Sequence, residues 1–190
     1  MGDRFVGAWI GLSPSSPVGT SLGQTPGRQL LLGGLRAEWV LEAVGPLALA
    51  ATADILPLVL LTHNPTYQDE GFLQPDGSVR RVKTETGQAL VYGTGISPLG
   101  LQLYLAEIRG ARIFAGAAVG ALWFTRDTPV PDAQRFNVTF EYGGGIMLPV
   151  SAKGMVVAGY KFHHFSNAYS APRNPGVDGN VLYLGISRRR

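Results

Sequence analysis

Most of this 190-residue chain alternates between apolar residues and small or polar residues with a period of two. Such alternation is typical of β-strands, whose successive side chains point to opposite faces of a sheet. One face is apolar in each of eight segments: residues 6–12, 31–41, 47–61, 99–105, 113–123, 136–142, 156–162 and 182–186. We therefore predict an all-β fold in which residues 1–190 form a single domain.

The face opposite the apolar one is built mainly from Gly, Thr, Asn and charged residues, including Arg36, Glu38, Asp54 and Glu141. An eight-stranded barrel has an interior just wide enough for side chains. A small, hydrogen-bonding lumen inside a continuous apolar exterior is typical of membrane barrels. With only 15% charged residues, the chain could not coat an ordinary soluble surface. These features predict an eight-stranded antiparallel up-and-down β-barrel of the outer-membrane type, with the four charged residues in a hydrogen-bonding network in its lumen.

The links between the predicted strands alternate in length, which supports this barrel. Short links are expected at residues 43–46, 107–110 and 149–153, and long ones at 13–27, 63–88, 126–134 and 169–179. Outer-membrane barrels have short turns at one rim and long loops at the other.

Charge and composition exclude several other kinds of protein. The net charge is +3 and the last three residues are all arginine, so the remainder is near neutral and no nucleic-acid partner is expected. The chain has no cysteine, which excludes disulfides and thiolate metal sites. The longest apolar stretch, residues 44–61, contains Pro46, Asp54 and Pro57, so a membrane-spanning helix is disfavoured.

The segment from residue 160 to residue 178 carries the candidate chemistry. His164 and Ser166 lie two residues apart and share the parity of Tyr160 and Phe162, which places both on the apolar outer wall. Packing does not explain them there, because unpartnered polar groups facing lipid are costly. A serine becomes a nucleophile when an imidazole takes its proton, and a carboxylate then orients the imidazole. Asp178, just beyond the following loop, is the candidate carboxylate, and this chemistry requires no cofactor.

His163 has the opposite parity and is predicted to point into the barrel as a hydrogen-bonded interior group. A metal site made by His163 and His164 is not expected, because adjacent residues of a strand point apart.

The run His164-Phe-Ser-Asn-Ala168, followed by Asn174-Pro-Gly176, resembles the signature of outer-membrane lipid A 3-O-deacylases, the PagL-like acyloxyacyl hydrolase family. Residues 92–100, 136–141 and 184–185 also resemble this family. The resemblance implies an eight-stranded barrel in the bacterial outer membrane that releases an ester-linked acyl chain from lipid A or a related acyl lipid.

The same resemblance implies a role for each site residue. Ser166 would be the nucleophile, His164 the base, and Asp178 the acid, where the family usually has Glu. Asn167 and Asn174 would lie in the oxyanion region. A site on the outside of the barrel would let a membrane-embedded lipid reach it without leaving the bilayer.

Both ends of the chain favour an alternative interpretation. No secretory signal precedes the first strand, which fits either a mature protein whose signal was removed or a protein that is never exported. The chain ends in Arg188-Arg-Arg190 instead of the aromatic residue usual in bacterial outer-membrane barrels. A catalytically silent barrel, repurposed as a structural or accessory subunit of a membrane protein complex, would account for both. Its arginine tail would then bind anionic lipid headgroups or an acidic partner surface.

Overall fold

A computed structural model of the chain describes residues 2–17, 20, 22–62, 67–85, 90–130 and 132–190, with the backbone alone described at 67–70 and 82–85. These residues form ten strands: β1 (Arg4–Ser13), β2 (Gln29–Val44), β3 (Leu47–Thr62), β4 (Tyr67–Leu73), β5 (Val79–Glu85), β6 (Leu90–Ile108), β7 (Ala111–Thr128), β8 (Gln134–Pro149), β9 (Gly154–Ser166) and β10 (Val177–Arg189). None of the residues described belongs to a helix long and apolar enough to cross a bilayer.

Eight of the strands close into a barrel in the order β1-β10-β9-β8-β7-β6-β3-β2, and each barrel strand is antiparallel to both neighbours. The first and last barrel strands pair with each other, so none of the eight described barrel strands has an open edge. This confirms the predicted eight-stranded up-and-down barrel.

The outer wall of the barrel is apolar, as predicted from the alternation. Side chains from strands all around the ring are half exposed or more, among them Ile10, Leu35, Ile55, Leu99 and Leu184. Exposed apolar side chains on every barrel strand form the continuous exterior that a lipid-facing barrel requires.

The prediction was wrong at the loop-side end of β3, where period-two counting through residues 47–61 puts Val59 and Leu61 on the outer face with Leu47 and Leu49. Both Val59 and Leu61 are fully buried in the lumen. A register shift between Leu56 and Val59 inserts an extra residue against β6, and such a bulge reverses which face later residues occupy. Period-two counting carries the parity straight through a bulge, so it places every later residue on the wrong face.

The links follow the predicted alternation, with two differences. The short links lie at residues 45–46, 109–110 and 150–153. The predicted loop at 126–134 is reduced to 129–133, because β7 continues to Thr128. The predicted loop at 63–88 lies partly outside the described residues, and it contains the antiparallel hairpin β4–β5, which the sequence analysis missed.

The lumen is apolar towards the loop-side rim, which corrects the prediction that it is small and hydrogen-bonding throughout. Large apolar side chains fill this part of it: Leu30, Leu32, Leu56, Leu61, Leu122, Phe124 and Phe165. They close the barrel beneath the long loops, so the lumen is a packed core.

Charged residues form a paired belt near the middle of the lumen. Arg36 donates hydrogen bonds to the Asp54 carboxylate from two nitrogens. Nη2 lies 2.7 Å from Oδ2, and Nε lies 3.0 Å from Oδ1. Trp9 Nε1 donates to the same carboxylate at 3.0 Å. Lys161 Nζ lies 2.8 Å from Glu141 Oε2 and 3.7 Å from the centre of the Trp9 ring. Burial without such partners would be costly, so these contacts explain how the charges are tolerated.

Glu38 and His163 also have hydrogen-bond partners in the lumen. Glu38 accepts hydrogen bonds from Tyr104 and Gln102. His163 is fully buried and points inward as predicted, with Nδ1 3.0 Å from Glu141 Oε2. Its Nε2 has no hydrogen-bond partner among the described residues, so only one of its two ring nitrogens is satisfied.

Removing one charge from the belt should destabilise the barrel. We expect Glu141→Gln to lower the free energy of unfolding by about 3–5 kcal/mol, because Lys161 would remain buried without its counter-charge. Glu107→Gln is the control, since its exposed pair with Arg112 is worth at most about 1 kcal/mol. Urea unfolding in phospholipid vesicles measures both variants, and equal losses would contradict the proposed importance of the belt.

Candidate active site

The site lies at the loop-side ends of β9 and β10. In the ladder between these strands, His164 stands directly opposite Asp178. Side chains directly opposite one another on the same face have Cβ atoms about 4.5–5.5 Å apart. This is close enough for a short acid, and His164 Nδ1 lies 2.6 Å from Asp178 Oδ1.

The carboxylate determines which ring nitrogen of His164 is free. An ionised carboxylate can only accept a hydrogen bond, so Nδ1 carries the proton shared with Asp178. The lone pair of the neutral imidazole is then on Nε2, on the far side of the ring. This is the tautomer that a general base needs.

Ser166 is half-buried on the same outward face as His164, two positions further along β9. The spacing of a strand puts their Cα atoms roughly 7 Å apart. Within the part of the chain that the structure describes, Ser166 Oγ makes no hydrogen bond. The structure therefore shows a hydrogen bond between His164 and Asp178. Ser166 lies near this pair on the same face, but its hydroxyl is not hydrogen-bonded to the imidazole.

The imidazole of His164 is held on the outer wall between a ring and a loop. Its centroid lies 5.1 Å from that of Phe140, which is its direct neighbour on β8. On the loop side it meets Gly176, where an added Cβ would come within 3.0 Å of His164 Cε1. Although it lies on the lipid-facing wall as predicted, His164 is therefore buried and only 7% exposed.

The second oxygen of Asp178 is held by the loop between β1 and β2. The backbone N–H of Gly23 donates to Asp178 Oδ2 at 3.0 Å. The same loop is tied to the β9–β10 loop by Thr25 Oγ1, which donates to Gly176 O at 2.7 Å. Asp178 is 1% exposed, so this amide and His164 are what compensate for its removal from water.

The two asparagines brace the loop that follows Ser166. Asn167 donates from its backbone N–H to Asn174 Oδ1 at 2.9 Å and from Nδ2 to Arg173 O at 2.7 Å. Asn174 Nδ2 has no partner among the described residues. Both asparagines were predicted to lie near the oxyanion. The backbone N–H and the Nδ2 group of Asn167 already donate hydrogen bonds within the loop, whereas the Nδ2 group of Asn174 is free to donate to a ligand.

The turn between them has an unusual backbone. Ala168 and Tyr169 have φ values of 51° and 62°, and the N–H of Ser170 donates to Asn167 O at 3.0 Å. Two successive positive φ angles define a type I′ turn, which normally takes Asn or Gly. Non-glycine residues held in this conformation are a form of strain that concentrates at functional sites.

The arrangement contains the parts of an acyl-transfer site. A serine lies beside a histidine whose tautomer is set by a buried carboxylate, and free amide donors lie in the adjoining loop. His163 is separate from it on the inner face. Sequence reasoning missed Gly23 and Phe140. The contact of Gly23 spans 155 positions of the chain, and no local signal indicates it.

Comparison with known proteins identifies relatives of this barrel. The family described as lipid A 3-O-deacylase (PagL) matches residues 59–187, more than half of the chain, and this range includes Ser166 and its neighbours. A comparison with curated protein sequences found no match.

Three solved structures are similar over nearly the whole chain. The outer membrane enzyme PagL is 18% identical with a TM-score of 0.60, over 95% of this chain and 97% of that one. Neisserial surface protein A is 11% identical with a TM-score of 0.56, over 97% and 96%. The outer membrane protein OprG from Pseudomonas aeruginosa is 12% identical with a TM-score of 0.51, over 100% and 96%. At these identities the likeness shows the fold, that of an outer-membrane barrel.

The geometry predicts that Ser166 reacts with a fluorophosphonate probe. We expect covalent labelling of the wild type, none of Ser166→Ala, and labelling at least about 100-fold slower in His164→Ala, because the imidazole must remove the serine proton. Ser151→Ala, at the opposite rim, should label like the wild type. Mass spectrometry of the labelled peptide measures all four, and equal labelling of Ser166→Ala would show that another group reacts.

Proposed function

We propose a lipid A deacylase activity, using Ser166 as nucleophile, for this chain, which belongs to the lipid A 3-O-deacylase (PagL) family. Its location is the bacterial outer membrane, as predicted. The substrate is a lipid A or related acyl lipid carrying an ester-linked acyl chain, and the products are the free fatty acid and the deacylated lipid. One observation carries the proposal: a buried His164–Asp178 pair next to Ser166 on the apolar outer wall.

In the first half of the reaction, Ser166 Oγ attacks the ester carbonyl carbon while His164 Nε2 takes the hydroxyl proton. Asp178 stabilises the resulting imidazolium through Nδ1. The tetrahedral oxyanion is held by Asn174 Nδ2, whose N–H groups are free, while Asn167 braces the loop. Collapse breaks the bond to the sugar oxygen, which takes the proton from His164, and leaves the acyl chain on Ser166.

In the second half, water replaces the sugar hydroxyl. His164 Nε2 removes a proton from the water, its oxygen attacks the acyl carbonyl, and a second tetrahedral oxyanion forms. Collapse then releases the fatty acid and returns the proton to Ser166 Oγ. Every proton is handled by His164, so the reaction requires no metal or cofactor.

The position of the site suits a substrate that stays in the membrane. His164 and Ser166 share a face with the exposed apolar side chains of β9 and β10, including Leu182 and Leu184. An acyl chain lying along this wall remains in an apolar environment while its ester reaches the loop-side rim. An ester in solution would have no such approach, which favours a membrane lipid as substrate.

A catalytically silent accessory subunit stays a prediction. The intact contact between His164 and Asp178 favours an active enzyme, because a silent barrel has no need to bury an acid–base pair on its lipid-facing wall.

The test is release of a 3-hydroxy fatty acid from lipid A by refolded protein in mixed vesicles, followed by mass spectrometry. We expect release by the wild type and a loss of at least about 1,000-fold in Ser166→Ala, because the nucleophile is removed. Ser151→Ala is the matched control at the opposite rim and should retain wild-type activity. Equal release by Ser166→Ala and the wild type would refute the mechanism.

A further inference from the structure

We infer that Gly23, in the loop between β1 and β2, is a positioning residue of the active site: its backbone N–H fixes the carboxylate that orients His164. This rests on the proposed function. Gly23 lies outside residues 59–187, the range matched by the family, so the family match says nothing about it.

The Asp178 carboxylate needs this second anchor. The χ2 torsion of an aspartate is broad, so a single hydrogen bond to His164 does not fix the plane of its two oxygens. Oδ1 faces the imidazole at 2.6 Å, and Oδ2 receives the Gly23 N–H at 3.0 Å. With one donor on each oxygen, rotation of the carboxylate would break a contact inside a buried site.

Only glycine fits at position 23 in this arrangement. A Cβ there would lie 2.6 Å from Asp178 Cγ and 2.8 Å from both Asp178 Oδ2 and its backbone nitrogen. Carbon contacts this short do not occur, so either the carboxylate or the loop would have to move. Rotation of the carboxylate would move neither Asp178 Cγ nor the Asp178 backbone nitrogen, so it cannot relieve these overlaps. The loop must therefore shift, which withdraws the Gly23 N–H from Oδ2 and leaves the carboxylate that faces His164 without its second anchor.

The loop is held against the site by contacts independent of Asp178. The N–H of Gln24 donates to Pro175 O at 2.5 Å, and Thr25 Oγ1 donates to Gly176 O at 2.7 Å. Gly176 in turn packs against His164 Cε1. One loop therefore reaches both members of the acid–base pair, Asp178 directly through Gly23 and His164 indirectly through Gly176.

The variant Gly23→Ala tests the inference in the lipid A assay. We expect kcat to fall about 100-fold, the cost of a catalytic group displaced by about 1 Å, with KM changed less than about twofold because Gly23 is buried beneath the site and acts through Asp178. Gln24→Ala is the matched control: its side chain is exposed, and it keeps the backbone N–H that binds Pro175. Unfolding in urea should give the same midpoint for Gly23→Ala and the wild type. A wild-type kcat in Gly23→Ala would overturn the inference.

A double-mutant cycle separates positioning from a general effect on the fold. In an Asp178→Asn background, adding Gly23→Ala should change kcat less than about twofold, because the carboxylate it positions is already gone. The same 100-fold loss in both backgrounds would overturn the inference.

A substrate-free measurement distinguishes failure of this inference from failure of the proposed function. In protein labelled with 15N-histidine, the Nδ1 proton of His164 should give a downfield resonance in the wild type and in Gln24→Ala, and lose it in Gly23→Ala. If the wild type releases no fatty acid, the proposed function fails, yet loss of this resonance still supports the role of Gly23. An unchanged resonance in Gly23→Ala overturns that role whatever the activity.

Discussion

The antiparallel register between β9 and β10 brings the candidate base and its carboxylate together on the outer wall. It sets Asp178 directly opposite His164, so a side chain one methylene shorter than the family's usual Glu reaches the imidazole. A slip of one residue would send Asp178 into the lumen and leave His164 unpaired on the lipid-facing wall. The closed barrel protects this register, because each of its eight strands is paired on both sides.

The buried charges of the lumen lie at the same height along the barrel as the candidate site on the outer wall. On β8 and β9, Glu141 is opposite His163 in the lumen, and the next pair, Phe140 with His164, lies on the outer wall. The buried contacts of Glu141 with Lys161 and His163 therefore fix the strand segment that carries the candidate base. We interpret the charged belt as the rigid inner support of an outward-facing site.

Period-two alternation was sufficient to predict the barrel, its inverted polarity, and the outward parity of His164 and Ser166. It failed at Val59 and Leu61, because a bulge changes parity without any change in composition. It also missed the β4–β5 hairpin and the apolar filling of the lumen near the loops. The bulge and the lumen filling depend on strands that are distant in sequence, whereas the hairpin is local, because only residues 74–78 separate β4 from β5.

Some residues of the site are indicated by the local sequence, and others reach it only through contacts between distant parts of the chain. His164, Ser166 and Asp178 were predicted as site residues because their residue types and spacing indicate acyl-transfer chemistry. Gly23 could not be found, since its amide reaches Asp178 only after the barrel brings β1 and β10 together. The different hydrogen bonding of Asn167 and Asn174 is likewise not specified by the sequence pattern.

We propose that His164 and Ser166 act as one catalytic unit on the outer wall. The most direct measurement compares kcat/KM for lipid A deacylation in His164→Ala, Ser166→Ala and the double variant. Residues that act together give grossly non-additive losses, so the double variant should be no slower than the slower single variant. Losses that multiply, or full activity in either single variant, would contradict it.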